Sequence, residues 1–513
     1  MITMKRLRYF SIILLAVVAS SCTGFLDKLP EDTLPTESID YTNLSLMYEP
    51  VSGIYRMAES ENPGFVHWMD YGIRGVRGDD LDKGSSASDQ STLTDIKYFH
   101  NSYAAVESFW GLNNSWNDYY GLIIDANSAL EELDKFAANI PSNDNTELEL
   151  NKRYQAEVRF IRAFAHLVIS REFGAVPILT DNNALTTVKK SSVEDIRKWI
   201  SDEMDYCIAH LQDCRPNQAT PVGSVTKYTA YLLKAKVCAD IAGADNSSTY
   251  WDEVITATNA IIDSHLFSLY GDYYNLFKYS GRLCDESLFE LQFGTENDIQ
   301  PGAFWAFQGP RGDQHGSAIS GWGFLTPSAD IVSFLKNRGD KIRLKTTILY
   351  CDTATMIKGP YIGIKYGVTP SNDTIWNNTD GVKYFNGKAY LPRSDMYNPN
   401  ANYGERNNVR VLRYSDALLL NAEAKIRKGS SGDGPLNDVR NRAGLTSITG
   451  ATLANVLDER RAEFACEWWG ERYNDLVRTG NAAAALSTFG FVAGTSEYLP
   501  IPLSQQAYNI NLQ

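Results

Sequence analysis

Histidine and cysteine are scarce in this chain, and they are scattered. Among 513 residues there are six histidines and seven cysteines (Cys22, Cys207, Cys214, Cys238, Cys284, Cys351 and Cys466), with no CxxC and only His210, between Cys207 and Cys214, near a cysteine. That spacing argues against a zinc cluster, and no metal ligands are assigned from sequence. HExxH, GxSxG, a Walker A loop and a strand-borne GxGxxG are all missing, which removes the signatures of zincins, α/β-hydrolases, P-loop NTPases and dinucleotide enzymes. Positive charge is in the minority, with 48 Lys and Arg against 62 Asp and Glu, and no run of five like charges occurs. Nucleic acid and anionic lipid surfaces both want basic patches, so neither is expected as a partner. After the first 21 residues no apolar run approaches the length of a membrane-spanning helix.

What is abundant is aromatic: 29 Tyr, 21 Phe and 10 Trp. Such side chains fill cores, and they also suit surfaces that take flat or amphipathic ligands. The chain opens on "MITMKRLRYFSIILLAVVASSCTGF", with Lys5, Arg6 and Arg8 before an apolar run from Phe10 to Ala19. This order reads as a secretory signal. Small residues Ala19-Ser20-Ser21 before Cys22 resemble a lipobox, with Ala19 where leucine is usual. Residues 1–21 are therefore expected to be removed and Cys22 to carry the lipid, anchoring an otherwise soluble body.

Helical periodicity dominates the flanks. Residues 154–174 place Val158, Ile161, Phe164, Ala165 and Val168 on one stripe, and Gly174 can end that helix. Residues 225–243 and 251–265 read as an antiparallel pair, as do 409–429 and 459–480. The middle, 266–408, is rich in Gly, Asn, Asp, Tyr and Pro, with β-like runs at 287–293 and 388–393. Residues 60–115 also read as loop, including "GIRGVRG" (72–78). Two irregular aromatic regions on a helical scaffold form a binding layout, because loops carry function where a scaffold positions them. Cys238 and Cys466 sit among apolar residues and read as small core hydrophobes. Cys207 and Cys214 are seven apart, without a disulfide being expected.

The stretch "ERRAEFACEWWGERYNDLVRTG" (459–480) repeats Glu463, Glu467 and Glu471 every fourth residue, one face of a helix. Arg460, Arg461, Arg472 and Arg478 are interleaved with them. A catalytic acid pair needs environments that separate two pKa values, and a metal row needs uncompensated oxygens. Neighbouring guanidiniums remove both conditions. Glu463, Glu467, Arg460, Arg472 and Asp475 are expected to form structural ion pairs locking the helix to its neighbours.

Several motifs occur in one order: "CTGFLDKLPED" (22–32), "WNDYYGLIIDANSALEEL" (116–133), "AEVRFIRAFAHLVISREFGAVPIL" (156–179), Gly321-Trp322-Gly323 before "DKIR" (340–343), "VLRYSDALLLNAEA" (411–424), "LNDVRNRAGL" (436–445), the 459–480 stretch and "YLPIP" (498–502). Together they resemble the SusD/RagB family of bacterial outer-membrane lipoproteins, over nearly the whole length. The resemblance implies a predominantly α fold, with tetratricopeptide-like helix pairs as scaffold and loop-rich insertions carrying short β segments. It implies one body over 22–513, its N-terminal part about 22–230 and its C-terminal part about 270–513. It also implies a non-enzymatic, cofactor-free surface protein that captures a nutrient, usually a glycan, and delivers it to a SusC-like TonB-dependent outer-membrane transporter. The RagB branch implies peptide as the rival ligand. The rival from another class is a surface glycoside hydrolase, since carboxylate separation cannot be read from sequence. Family ligand walls come from the loops before the first scaffold helix and from the middle insertion. Those regions here offer Trp68, Tyr71, Arg77, Asp80, Trp110, Asn113, Trp305 and Trp322. Trp305 leads this set, because Gly and Pro flank it and no periodic stripe claims it.

Overall fold

The computed structural model describes residues 39–294, 302–311, 321–350, 365–368, 370–371, 373–377, 384–395 and 406–513. The leader and Cys22 lie outside them. The body is mostly helical. It starts with α1 (Glu49–Ala58) and α2 (Trp68–Val76), followed by the short strand β1 (Leu81–Gly84). Four long helices follow: α3 (Trp110–Ala137), α4 (Asn145–Phe173), α5 (Val193–His210) and α6 (Lys227–Ala242), then α7 (Tyr250–Ile262). Each packs on the next. The ends are written locally. Asp144 accepts the Glu147 amide at 3.2 Å to start α4, and Ser192 caps α5 in the same way. Gly174 and Gly243, at φ +77° and +58°, close α4 and α6. The expected stripe of α4 is buried, but so is every other face from Phe160 to Ser170, because this helix is covered on all sides.

The remaining chain supplies β2 (Ser287–Leu291), the short α8 (Phe304–Gln308), β3 (Phe324–Pro327), α9 (Lys341–Thr347), β4 (Ile348–Tyr350), β5 (Lys365–Val368), β6 (Thr374–Asn377), β7 (Tyr384–Asn386) and β8 (Val409–Arg413). The described strands form four two-stranded antiparallel pairs: β1 with β3, β2 with β8, β4 with β7 and β5 with β6. The chain then continues through α10 (Tyr414–Arg427), α11 (Asp433–Arg442), α12 (Leu453–Phe464), α13 (Glu471–Arg478) and α14 (Leu503–Tyr508). Helix α10 packs on α7 and extends the stack, and α12 packs on α10.

Four local expectations are corrected. "GIRGVRG" lies mostly within α2 rather than a loop: a side chain at Gly72 would meet Phe307 at 3.1 Å, so the glycine serves close helix packing, not a turn. Residues 388–393 are not a strand; the strand is β7, just before them. The segment 409–429 begins as β8 and only then turns helical. Residues 459–480 are two helices, because Cys466 and Gly470 adopt φ +61° and +68° between α12 and α13. Glu463, Glu467 and Glu471 therefore do not share one helical face.

Candidate functional site

The acidic stretch makes ion pairs, but mostly with distant partners rather than with its own arginines. Glu463 meets Arg413 at 2.8 Å, Arg442 at 2.6 Å and Arg343 at 3.3 Å. Glu467 meets Arg413 and Lys388 at 2.7 and 2.9 Å. Asp340 caps α9 and holds Arg343 at 2.6 Å, which gives the Asp-x-x-Arg motif its role. Arg460 turns to Asp416 and Asp475 at 2.6 and 2.7 Å, and Arg472 clamps Asp79 through two bonds of 2.7 and 2.8 Å. Burial alone would raise the Glu463 carboxyl, but Arg442, Arg413 and Arg343 hold it well below the usual carboxylate range. These groups join β8, α9, α11, α12 and α13 into one charged core layer in which each carboxylate meets at least one cation.

Four of the candidate ligand residues belong to that interior. Trp305 is fully buried on α8, with its indole N–H donating to the Asn407 carbonyl at 3.2 Å and its ring edge-on to Trp468 at 5.2 Å. The Gly and Pro around it read as loop, but they bound a five-residue helix pressed into the core. The Tyr71 hydroxyl donates to the Cys466 carbonyl at 3.2 Å, Arg77 donates to Tyr473 and the Ser496 carbonyl at 2.8 and 2.9 Å, and Asp80 accepts from Arg461 at 2.9 Å. All three are buried. None of these four presents a face to solvent, and the expectation that they wall a ligand is corrected. Asn113 is half-buried on α3; its carbonyl accepts from Gln505 at 2.9 Å and from Ser504, fastening α14 to the scaffold.

The other three come together. Trp68 opens α2, Trp110 opens α3 and Trp322 sits in the turn before β3. The Trp68 ring lies 5.7 Å from Trp110 and 5.3 Å from Trp322, centre to centre, with buried Phe307 beneath it at 5.0 Å. Trp110 and Trp322 remain 45% and 41% exposed, whereas Trp68 is half-buried between them. The Trp322 backbone is fixed by a 2.7 Å bond to the Ala306 carbonyl, and a side chain at Gly321 would strike the Gly309 backbone at 2.3 Å. The Gly-Trp-Gly motif therefore presses a turn against α8 and leaves the indole pointing outward. Planar amides rim the cluster: Asn114 bonds Asn62 at 3.1 Å and faces His67 at 3.2 Å, and the His67 ring in turn lies 6.2 Å from Trp110. Large apolar ring faces beside planar hydrogen-bonding groups suit a ligand with flat C–H faces edged by hydroxyls.

Sequence reasoning missed two features nearby. Tyr98, His100 and Tyr103 form a second exposed aromatic row, with His100 stacked on Tyr103 at 4.3 Å; their alternating positions after a short helix carried no motif. His67, Asp70 and Asp118 meet in a buried triad, its third member contributed by a different helix from the first two. A separate groove of about 450 Å³ runs between α3 and α14, lined by Trp116, Tyr120, Leu179 and Tyr508 among others. No described helix is long and apolar enough to cross a membrane.

Comparison with known proteins agrees with this architecture. A family model described as the SusD family matches residues 285–489, and one described as "Starch-binding associating with outer membrane" matches 66–238. The starch-binding protein SusD of Bacteroides thetaiotaomicron is 26% identical over 407 residues, 70% of this chain and 72% of that protein. A SusD-like protein of Bacteroides ovatus is 22% identical over 490 residues, 90% of this chain and 80% of that one. Among solved structures, surface glycan-binding protein A from B. thetaiotaomicron in complex with laminarihexaose superposes with a TM-score of 0.72 at 22% identity, over 91% of this chain and 98% of that one. The chain belongs to the SusD/RagB family of outer-membrane-associated, non-catalytic binding proteins.

Proposed function

We propose that this protein captures an oligosaccharide at the cell surface on the Trp68–Trp110–Trp322 platform and passes it to a TonB-dependent outer-membrane transporter. The observation that carries this reading is the convergence of three indoles from separate parts of the chain, two of them more than 40% exposed. Exposed tryptophan is costly to leave in water unless something covers it. The description of relatives as starch-binding, and the laminarihexaose complex of a structural neighbour, favour a glucan over a peptide.

Cys22 would carry the lipid, and a tether of few residues would keep the body at the membrane. Tethering raises the effective concentration of any membrane partner. A permanent pair with a transporter should bury on the order of 2,000 Å² or more. The test is twofold. A panel of starch-type and β-glucan oligosaccharides is titrated by calorimetry and followed for product release. A tagged chain is then extracted in mild detergent. Saturable glycan binding without turnover, and recovery of a barrel of transporter size, are expected. Peptide binding with no glycan binding would refute the capture reading, and recovery of this chain alone would refute the partnership.

A further inference from the structure

Beneath the tryptophans, His67, Asp70 and Asp118 bring one imidazole and two carboxylates into a buried group. His67 precedes α2, Asp70 sits in its first turn and Asp118 comes from α3. The residues are 4%, 0% and 4% exposed. His67 Nδ1 lies 3.3 Å from Asp70 Oδ1 and 3.8 Å from Asp118 Oδ2. The Oδ2 atoms of both aspartates are buried without a hydrogen-bond partner. Such orphaned carboxylate oxygens are costly, because no water replaces their lost hydration. The charged residues around the group deepen the imbalance. Glu61 and Glu172 add negative charge near Asp118. Arg74 acts on Asp70 electrostatically, but it spends its donors on Glu172 at 2.9 Å, on Tyr119 and on the Trp468 carbonyl. The acids of 459–480 present the opposite case, since each of them meets a guanidinium or an ammonium.

We propose that His67, Asp70 and Asp118 bind one divalent transition-metal ion of the zinc class. A tetrahedral ion with ligands at about 2.0–2.2 Å spaces its donors about 3.3–3.6 Å apart. The three donor atoms lie within 4.8 Å of one another, and the two nitrogen–oxygen separations of 3.3 and 3.8 Å bracket that edge. One imidazole with two carboxylates favours zinc over calcium or magnesium, which prefer all-oxygen shells. The Asn114 amide nitrogen lies 3.2 Å from His67 Nε2 and donates to Asn62 Oδ1; a metal on Nδ1 leaves the ring proton on Nε2, so the two amides would turn over to let the Asn114 oxygen accept it. The ion would tie the start of α2 to α3, the two helices that present Trp68 and Trp110.

The experiment uses the purified full chain stripped with chelator, without any glycan, so its outcome is separate from the capture reading. ZnCl2, MnCl2, CaCl2 and MgCl2 are titrated by calorimetry and by thermal melting. Wild type should take one Zn2+ per chain, with a Tm that climbs with the logarithm of free Zn2+. Asp118→Asn and His67→Gln should each weaken uptake at least tenfold. His100→Gln, which alters the half-buried His100–Asp95 pair, should leave it unchanged. Asp118→Asn removes a buried carboxyl whose Oδ2 has no hydrogen-bond partner, so in chelator it should melt at or above wild type. If it melts lower, His67→Gln alone decides. No Zn2+ uptake by wild type, uptake unchanged in the deciding variants, or preference for Ca2+ or Mg2+ would each overturn the site.

Discussion

Glu463→Ala is the sharpest probe of the charged layer. The carboxylate is fully buried and neutralises parts of Arg343, Arg413 and Arg442 at 3.3, 2.8 and 2.6 Å. Truncation removes one negative charge and leaves three guanidiniums crowded around a small cavity, with Asp340, Glu459, Glu286 and Glu467 as their remaining partners. Breaking a buried pair by deleting one side costs about 3–5 kcal/mol, and three orphaned donors place this case at the upper end. Unfolding entropy of about 2.1 cal/mol/K per residue gives roughly 1 kcal/mol/K for a chain of this length, so Tm should fall by about 3–5 °C. Glu463→Gln keeps the shape and part of the hydrogen bonding and should fall less. The assay is paired: calorimetric melting, and titration with a bound oligosaccharide at a temperature where the variant is folded. A variant that melts within a degree of wild type, or one that keeps its Tm and loses all binding, would refute the structural assignment.

Other perturbations should separate scaffold from surface. Trp305→Ala, which empties a fully buried site against Trp468, should cost about 3–5 kcal/mol in stability while a folded fraction keeps its glycan affinity; normal melting with lost affinity would return Trp305 to the ligand wall. Arg472→Met should loosen the 78–80 loop by breaking the paired bonds to Asp79, seen as faster amide exchange there and absent if the clamp is idle. Burial opposes ionisation of Glu463 and Asp416, but Arg442, Arg413 and Arg343 for the first, and Lys236 and Arg460 for the second, hold their folded pKa values below normal. Their stabilisation is complete above the unfolded carboxyl values of about 4 and drains away as pH falls below them. Tm should therefore drop steeply below about pH 4, and less steeply in Glu463→Gln; equal slopes would contradict this.

The helical scaffold was legible because its signals are local. Stripes, N-caps such as Asp144 and Ser192, and the closing Gly174 are written within a few residues of the elements they bound. What the sequence hid was long-range. The arginines beside Glu463 were visible, but its actual partners arrive from α9, β8 and α11, and chain adjacency does not reveal them. Trp305 was misassigned for the same reason. Glycine and proline around it signal irregular backbone, while its burial depends on Trp468 and Asn407, which lie far away in the chain. In "GIRGVRG", glycine spacing mimicked a loop because helix packing and turns both demand small residues. Trp68, Trp110 and Trp322 could be named from the two aromatic regions, but only folding brings them together, and the triad under them involves residue types too common to attract notice.

The account rests most directly on the indole platform, and calorimetric titration of Trp110→Ala and Trp322→Ala with a glucan that binds wild type tests it. Both residues keep more than 40% of their surface in solvent, so each variant should keep the wild-type melting temperature within about 1 °C. Stacking of this kind contributes roughly 1–3 kcal/mol per ring by analogy with other planar ligands, so affinity should fall about 5- to 150-fold in each and become undetectable in the double variant. Unchanged affinity in the double variant, with wild-type melting, would contradict the assignment and move the binding surface elsewhere, first to the Tyr98–His100–Tyr103 row.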